Sequence, residues 1–353
     1  PGRAQQASAL PRQVQGLRLS ALMAPGRLQE RWLQQAANAR LRIVLADGDD
    51  ARAVQAARRL ATAGVAPTLV TQTGSNCGDD ITQLNPRDPG DAITAVVTDA
   101  VQQLARRHQL SASEQAGLAS DALLVAVAAV RTGQVDGCVA GASRASADVA
   151  RAGLRIVGLA PGHATLSSAF IMVMPDGRAF AYGDCAVVPE PDAQQLADIA
   201  IATADTFQAL VGQPPVVAML SFSTKGSAEH ASVDVIREAV DRVRIRRPEL
   251  PIDGELQFDA ALLPHVGDMK APGSPAAGRA NVFIFPNLAA ANIAYKITER
   301  LAGAQAYGPL FQGLARPVND LSRGCTAEDI YSISAITGVQ ALPVVQHSDE
   351  EGG

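Results

Sequence analysis

Apolar and polar positions fall into short blocks along this chain. Arg42-Ile43-Val44-Leu45-Ala46 is a brief apolar run that gives way to Asp47-Gly48-Asp49-Asp50. Apolar residues then recur at Ala53, Ala56, Ala57 and Leu60, and the pattern stops near Gly64. That spacing predicts a buried strand, a turn and an amphipathic helix with an acidic start. Pro67–Val70 predicts a second strand, completing a strand–helix–strand unit. The unit recurs. A helical stretch over Leu123–Val130 precedes Gly137-Cys138-Val139-Ala140-Gly141, Val216–Phe222 runs into Ser223-Thr224-Lys225-Gly226, and Asn281-Val282-Phe283-Ile284-Phe285 ends at Pro286. Strands that are apolar on both faces and alternate with helices predict an α/β fold whose sheets are mainly parallel and covered by helices.

Composition narrows the function classes. A chain of 353 residues with 47% hydrophobic and 18% charged residues is globular in character and long enough for one large or two medium domains. Its net charge of −5 offers no broad basic surface for nucleic acid, so a polyanionic ligand must be held by a local group of Arg or Lys. The longest apolar stretch, Ala122–Val130, is far short of the roughly 20 residues of a membrane helix. Cys77, Cys138, Cys185 and Cys325 are widely spaced and form no CxxC pair, which argues against a disulfide framework or a zinc site and fits a reducing cytoplasm. Residues 1–26, rich in Ala, Gln, Arg and Pro, read as a flexible extension without a secretion signal, and the tail from His347 to Gly353 reads alike.

Ligands of open parallel sheets sit beyond the carboxyl ends of the strands. Three segments follow candidate strands with suitable chemistry. Pro317–Ile330 joins a guanidinium (Arg323), a hydroxyl (Ser322), a glycine, Cys325 and acids. Thr326 and Asp329 stand three apart, the spacing of a helix cap, and on spacing alone a capping role for Asp329 outweighs a catalytic one. Asp136–Arg151 carries glycines followed by Arg144 and Arg151, which alone reads more readily as a tight turn with solvated arginines. Ser221–Ser227 places Ser223, Thr224 and Lys225 after a strand without P-loop spacing, so a phosphate-holding loop and a plain polar loop are equally open.

Taken together these segments resemble the phosphate acetyl/butyryl transferase family. The resemblance rests on Pro317-Val318-Asn319-Asp320-Leu321-Ser322-Arg323-Gly324-Cys325, Met219–Ser227, Asp253–Ala260, Lys270-Ala271-Pro272-Gly273-Ser274, Ala280–Leu288 and Arg42–Asp49, and spans about residues 27–342. The 317–325 block favours the acetyl branch. The resemblance implies two three-layer α/β domains flanking a cleft, similar to isocitrate and isopropylmalate dehydrogenases. Residues 27–163 with 311–346 would form the first and 164–310 the second. It implies a homodimer, no tightly bound cofactor, and reversible acetyl transfer between coenzyme A and phosphate by direct thiolate attack on acetyl phosphate. Substrates would be CoA, acetyl-CoA, phosphate and acetyl phosphate. Residue by residue, Asp329 matches a general base, Arg323 the arginine that holds phosphate, Ser322 a stabilising hydroxyl, Arg151 a coenzyme A contact and Arg106 another, with Arg107 competing for that place. Arg144 stands where some members have His, Ala152 where Pro is common and Ala291 where Gly is common. Cys325 would line the coenzyme pocket, with covalent catalysis disfavoured.

An ordinary Asp is a poor base for a thiol. Values near 3.9 and 8.5 leave about 4.6 pH units, or about 6 kcal/mol, uphill. The electrostatic contribution of Arg323 is therefore expected to outweigh that of the base. Two rivals remain at this stage: a phosphate butyryltransferase, which differs by the room around the acyl chain, and a non-catalytic acetyl-CoA-sensing domain. An isocitrate-like dehydrogenase lacks matching motifs.

Overall fold

A computed structural model describes residues 26–74, 77–88, 92–107, 111 and 117–342, so the N-terminal extension before Gly26 and the tail after 342 lie outside the described residues. In chain order the first part runs α1 (Arg27–Asn38), β1 (Arg42–Leu45), α2 (Ala51–Thr62), β2 (Ala66–Val70), β3 (Thr82–Leu84), α3 (Ala92–Arg107), α4 (Ala122–Arg131), β4 (Gly137–Ala140) and α5 (Ser146–Ala152), the last continuing into a π-helical turn, Gly153–Val157. The second part runs β5 (Ser167–Val173), β6 (Ala179–Gly183), α6 (Ala193–Val211), β7 (Val217–Leu220), α7 (Ala231–Arg246), β8 (Ile252–Leu256), α8 (Phe258–Leu262), α9 (Pro264–Lys270), β9 (Val282–Ile284), α10 (Leu288–Ala302) and β10 (Gln305–Gln312). The chain then returns through β11 (Val318–Asp320) and α11 (Ala327–Ala341).

The first sheet has the order β11-β4-β1-β2-β3 and is parallel throughout. The second has the order β10-β5-β6-β9-β7-β8; the β6-β9-β7-β8 part is parallel, but β5 pairs antiparallel with both β6 and β10. The expectation of mainly parallel sheets thus holds: the first sheet is wholly parallel and three of the second sheet's five pairings are. Every residue of β5 and β6 is buried, and a strand with no exposed face carries no trace of its pairing direction.

Alternate residues divide between two layers on each sheet. Ile43 and Leu45 face one core while Val44 and Ala46 face another; Val217 and Met219 separate in the same way from Ala218 and Leu220. One continuous core runs from the first sheet through α11 and α6 to the second sheet, so the two sheets share their inner helical layer. Trp32 fastens this junction: it is fully buried, donates through Nε1 to the Leu210 carbonyl at 2.7 Å and packs edge-on to Tyr307 at 5.0 Å. Among the described residues no helix is long and apolar enough to cross a membrane.

Candidate functional site

Because the first sheet is parallel, the loops after β1, β4 and β11 leave it at one end. Half-buried acids and one arginine tie them together. Asp47, just past β1, accepts from the amides of Gly141, Ala142 and Ser143 and from the Ser143 hydroxyl, pinning the β4–α5 loop. Arg52, in the first turn of α2, pairs with Asp50 at 2.7 Å and donates to the carbonyls of Ala142 (3.1 Å), Arg323 (3.1 Å) and Cys325 (2.7 Å). One guanidinium therefore clamps both loops that carry candidate chemistry. On the underside, buried Asn319 accepts from the Phe311 amide at 2.8 Å and donates to Thr337 and Gln340, fixing β11 between β10 and α11.

Between these loops and the second sheet lies a cavity of about 510 Å³. The first sheet supplies Arg144, Ser146, Asp320, Ser322 and Arg323. The opposite wall comes from Phe170, Cys185, Asn292, Tyr295 and Pro309, with the Phe170 and Tyr295 rings stacked 4.1 Å apart. Cationic and hydroxyl groups on one side thus face an apolar, aromatic wall on the other, at a size suited to a small-molecule site. Arg144 is anchored by Asp121 at 2.7 Å and also borders a second cavity of about 440 Å³ lined by Asp47, Asp49 and Asp50. Those acids make the second cavity a poor host for polyphosphate.

Asp320 is the outlier of the site. It ends β11 opposite Ala140, is 1% exposed, and has Ser146 and the Leu321 amide as its hydrogen-bond partners. Burial, opposed by Ser146 and Leu321 and reinforced by the charge of Asp47, pushes its pKa up to about 6. Gly141 makes the arrangement sterically feasible: its φ is +109°, and a Cβ there would collide with the Asp320 carboxylate.

The sequence-predicted residues separate sharply. Ser322, Arg323 and Arg144 meet at the cavity. Asp329 does not line it; the residue is exposed and closes a capping box at the start of α11, its Oδ2 accepting from the Thr326 amide (2.7 Å) and hydroxyl (2.9 Å). Arg151 is exposed and pairs with Asp148 at 3.0 Å on α5; Arg106 is exposed on α3 with Gln102 as a partner. Neither arginine reaches the cavity. The Arg107 side chain lies outside the described residues. Cys325 is buried under Arg52 and is not part of the cavity lining; burial, partly offset by Arg52, raises its pKa to about 11, which keeps it a thiol at neutral pH.

The Ser223–Lys225 loop also lies elsewhere. Ser223 and Thr224 are buried, Ser223 donating to Glu255 at 2.9 Å and Thr224 to Gln257, while Lys225 pairs with the buried Asp253 at 2.5 Å. These residues close β7 onto β8, and Lys225 borders a separate groove with Arg237 and Arg244. Burial works to raise the Glu255 pKa, but Arg237, the Gly226 amide and Ser223 outweigh it and bring it to about 2. In this structure the loop's polar groups are paired with Glu255, Gln257 and Asp253, partners that a sequence pattern does not place. Sequence reasoning missed Arg52, Asp121 and Asp320. Arg52 and Asp121 each sit at a helix start, and Asp320 lies inside the most diagnostic block, but no local pattern shows that it is buried.

Residues 27–338 match the family model for phosphate acetyl/butaryl transferase. The chain is 45% identical to a phosphate acetyltransferase of Paracoccus denitrificans over 304 residues, 84% of this chain and 94% of that protein. It is 41% identical to a phosphate acetyltransferase of Clostridium acetobutylicum over 313 residues, 85% and 94% of the two chains. Among solved structures it superimposes on a phosphotransacetylase from Streptococcus pyogenes with a TM-score of 0.83 and 38% identity, covering 90% of this chain and 99% of the other.

Proposed function

Since the chain belongs to the phosphate acetyl/butaryl transferase family, we propose that its cavity is where coenzyme A and an acyl phosphate meet. The protein is a phosphate acetyltransferase: it moves an acetyl group reversibly between coenzyme A and inorganic phosphate, the activity for which its relatives are named. The observation that carries the assignment to this cavity is the meeting of Arg144, Ser322 and Arg323 across from the Phe170–Tyr295 wall.

The chemistry follows from what each group can do. Guanidinium groups bind phosphate oxygens through paired N–H donors. Arg323 and the free edge of Arg144 hold the phosphoryl group and neutralise charge as it grows on the departing oxygen. The Ser322 hydroxyl donates to the same oxygens or to the carbonyl. The coenzyme A sulfur attacks the acetyl carbon, the carbon–sulfur bond forms, and the carbon–oxygen bond to phosphate breaks with its electron pair staying on phosphate. Electrostatic stabilisation of that charge contributes about 3–4 kcal/mol per well-placed donor. Arg106 and Arg151 are outer candidates for the nucleotide phosphates of coenzyme A. Asp329 is the proton acceptor put forward by the sequence resemblance, while its carboxylate caps α11.

We further propose two units, residues 27–163 with 311–346 and residues 164–310, which the return of β11 to the first sheet supports. A homodimer is supported by Ile293, Ile297 and Leu301, an exposed apolar stripe at helical spacing on α10. A cytoplasmic location is supported by four free, buried cysteines. The test of function is thioester formation from acetyl phosphate and CoA, run beside butyryl phosphate. Faster turnover of the acetyl substrate supports the reading. Preference for butyryl phosphate, or acetyl-CoA binding without phosphate-dependent turnover, would replace it with the butyryltransferase or the sensor.

A further inference from the structure

An arginine that receives a phosphoryl group binds best when its fork is already aimed, because a long side chain otherwise loses rotamer freedom on binding. Arg144 is fixed at both ends. Its backbone follows Gly141, Ala142 and Ser143, whose amides all donate to Asp47. Its Nη2 donates to Asp121 Oδ2 at 2.7 Å. Asp121 is held in turn. Its Oδ1 accepts from the Leu123 amide at 2.9 Å and caps α4, and the neighbouring Ser120 carbonyl accepts from Gln72 at 3.2 Å. One carboxylate therefore caps a helix with one oxygen and steers a guanidinium with the other, while lining neither of the two cavities beside it. We propose that Asp121 is a positioning residue of the phosphate site: it holds Arg144 so that the guanidinium receives the phosphoryl group of acetyl phosphate.

The inference rests on the acetyl-transfer reading and deepens it. Arg144 borders both the cavity of Ser322 and Arg323 and the neighbouring one lined by Asp47, Asp49 and Asp50. A guanidinium at that boundary has two places to go. One is the phosphate site; the other is a pocket with three carboxylates. Asp121 decides between them by occupying one edge of the fork. The Nε and Nη1 donors of Arg144 meet no protein acceptor among the described residues, so they stay available for phosphate oxygens. The carboxylate also has an opposing effect, since its negative charge repels an incoming phosphate. Positioning and repulsion predict opposite signs. If Asp121 mainly aims Arg144, removing it weakens acetyl phosphate binding; if it mainly repels, removing it strengthens binding. The pair is only partly exposed, with side chains 41% (Arg144) and 24% (Asp121) accessible, and Asp121 is anchored by its helix cap, so aiming should win.

The experiment measures thioester formation, with acetyl phosphate and CoA varied in turn, for the unmodified protein, Asp121→Ser, Arg144→Met and the double variant. Ser keeps an oxygen for the cap of α4 but removes the ion pair, which separates the two jobs of Asp121. Arg144→Met should raise KM for acetyl phosphate about 10- to 100-fold, the loss of charge-assisted hydrogen bonds. Asp121→Ser should raise the same KM about 2- to 5-fold, as for a partly exposed ion pair, and leave KM for CoA and the melting temperature nearly unmoved. In the double variant Asp121→Ser should add nothing to Arg144→Met, because one residue acts through the other. A KM for acetyl phosphate that is unchanged or lowered in Asp121→Ser, an equal rise in KM for CoA, or an effect that persists undiminished without Arg144 would each overturn the proposal. If Asp121→Ser does not fold, Asp121→Asn, which caps as well and carries no charge, takes its place with the same expectations. An unmodified protein that makes no acetyl-CoA defeats the acetyl-transfer reading, a result distinct from active protein indifferent to Asp121.

Discussion

Replacing Asp320 with Asn should make the protein more stable, and only above a certain pH. The unfolded carboxyl titrates near 3.8 and the folded one near about 6. The folded state therefore binds the proton more tightly, and between those values it carries more protons than the unfolded chain. Stability must fall as pH rises through that window. The penalty is absent below 3.8, complete above about 6, and amounts to about 3 kcal/mol, since one pH unit corresponds to 1.36 kcal/mol. Asn has the shape of the protonated acid and never carries the charge, so it escapes the penalty. With an unfolding entropy of about 2 cal/mol/K per residue, a chain of 353 residues should gain about 4 °C in Tm. Thermal melts followed by circular dichroism, at about pH 4 and about pH 8, give the answer. The two proteins should melt together at the lower pH and separate at the higher. A variant less stable at about pH 8, or a difference that ignores pH, would refute the idea of a buried charge that its partners do not offset. A variant that is more stable yet less active would show strain kept for function.

Arg323→Ala should reduce kcat by about 10²–10³-fold, and by more than Asp329→Asn does, because Arg323 lines the cavity and Asp329 does not; steady-state rates at saturating substrate decide, and an unaffected Arg323→Ala protein would count against the site. Trp32→Ala should destabilise by about 3–5 kcal/mol, since it empties the junction beneath Leu210 and Tyr307. Trp32→Phe should lose only about 1 kcal/mol with the hydrogen bond. Urea titration measures both, and a near-neutral Trp32→Ala would show that the junction is not where the sheets are joined.

Much of the fold was legible because its strands are short and apolar on both faces. β1, β2, β4, β7 and β9 stand out as runs bounded by acids, glycine or proline, and α2 and α4 as the helices beside them. The Thr326–Asp329 spacing announced the capping box that the structure contains. What stayed hidden was the antiparallel pairing of β5 with β6 and β10, because full burial erases the alternation that would betray it. At the site, sequence could nominate arginines but not aim them. Arg144 turns into the cavity, while Arg106 and Arg151 lie on helix surfaces beside local partners. The sequence offers Lys225 as a phosphate ligand but does not show the buried Asp253 on β8 that pairs with it. Asp320 was in view within Pro317–Cys325, yet its burial depends on packing from β4 and α5, distant in sequence.

A crystal structure with coenzyme A bound tests the central claim most directly. The account predicts the sulfur inside the cavity that Ser322, Arg323 and Tyr295 line. A coenzyme whose sulfur lies in the Lys225–Arg237–Arg244 groove, away from Ser322 and Arg323, would contradict it.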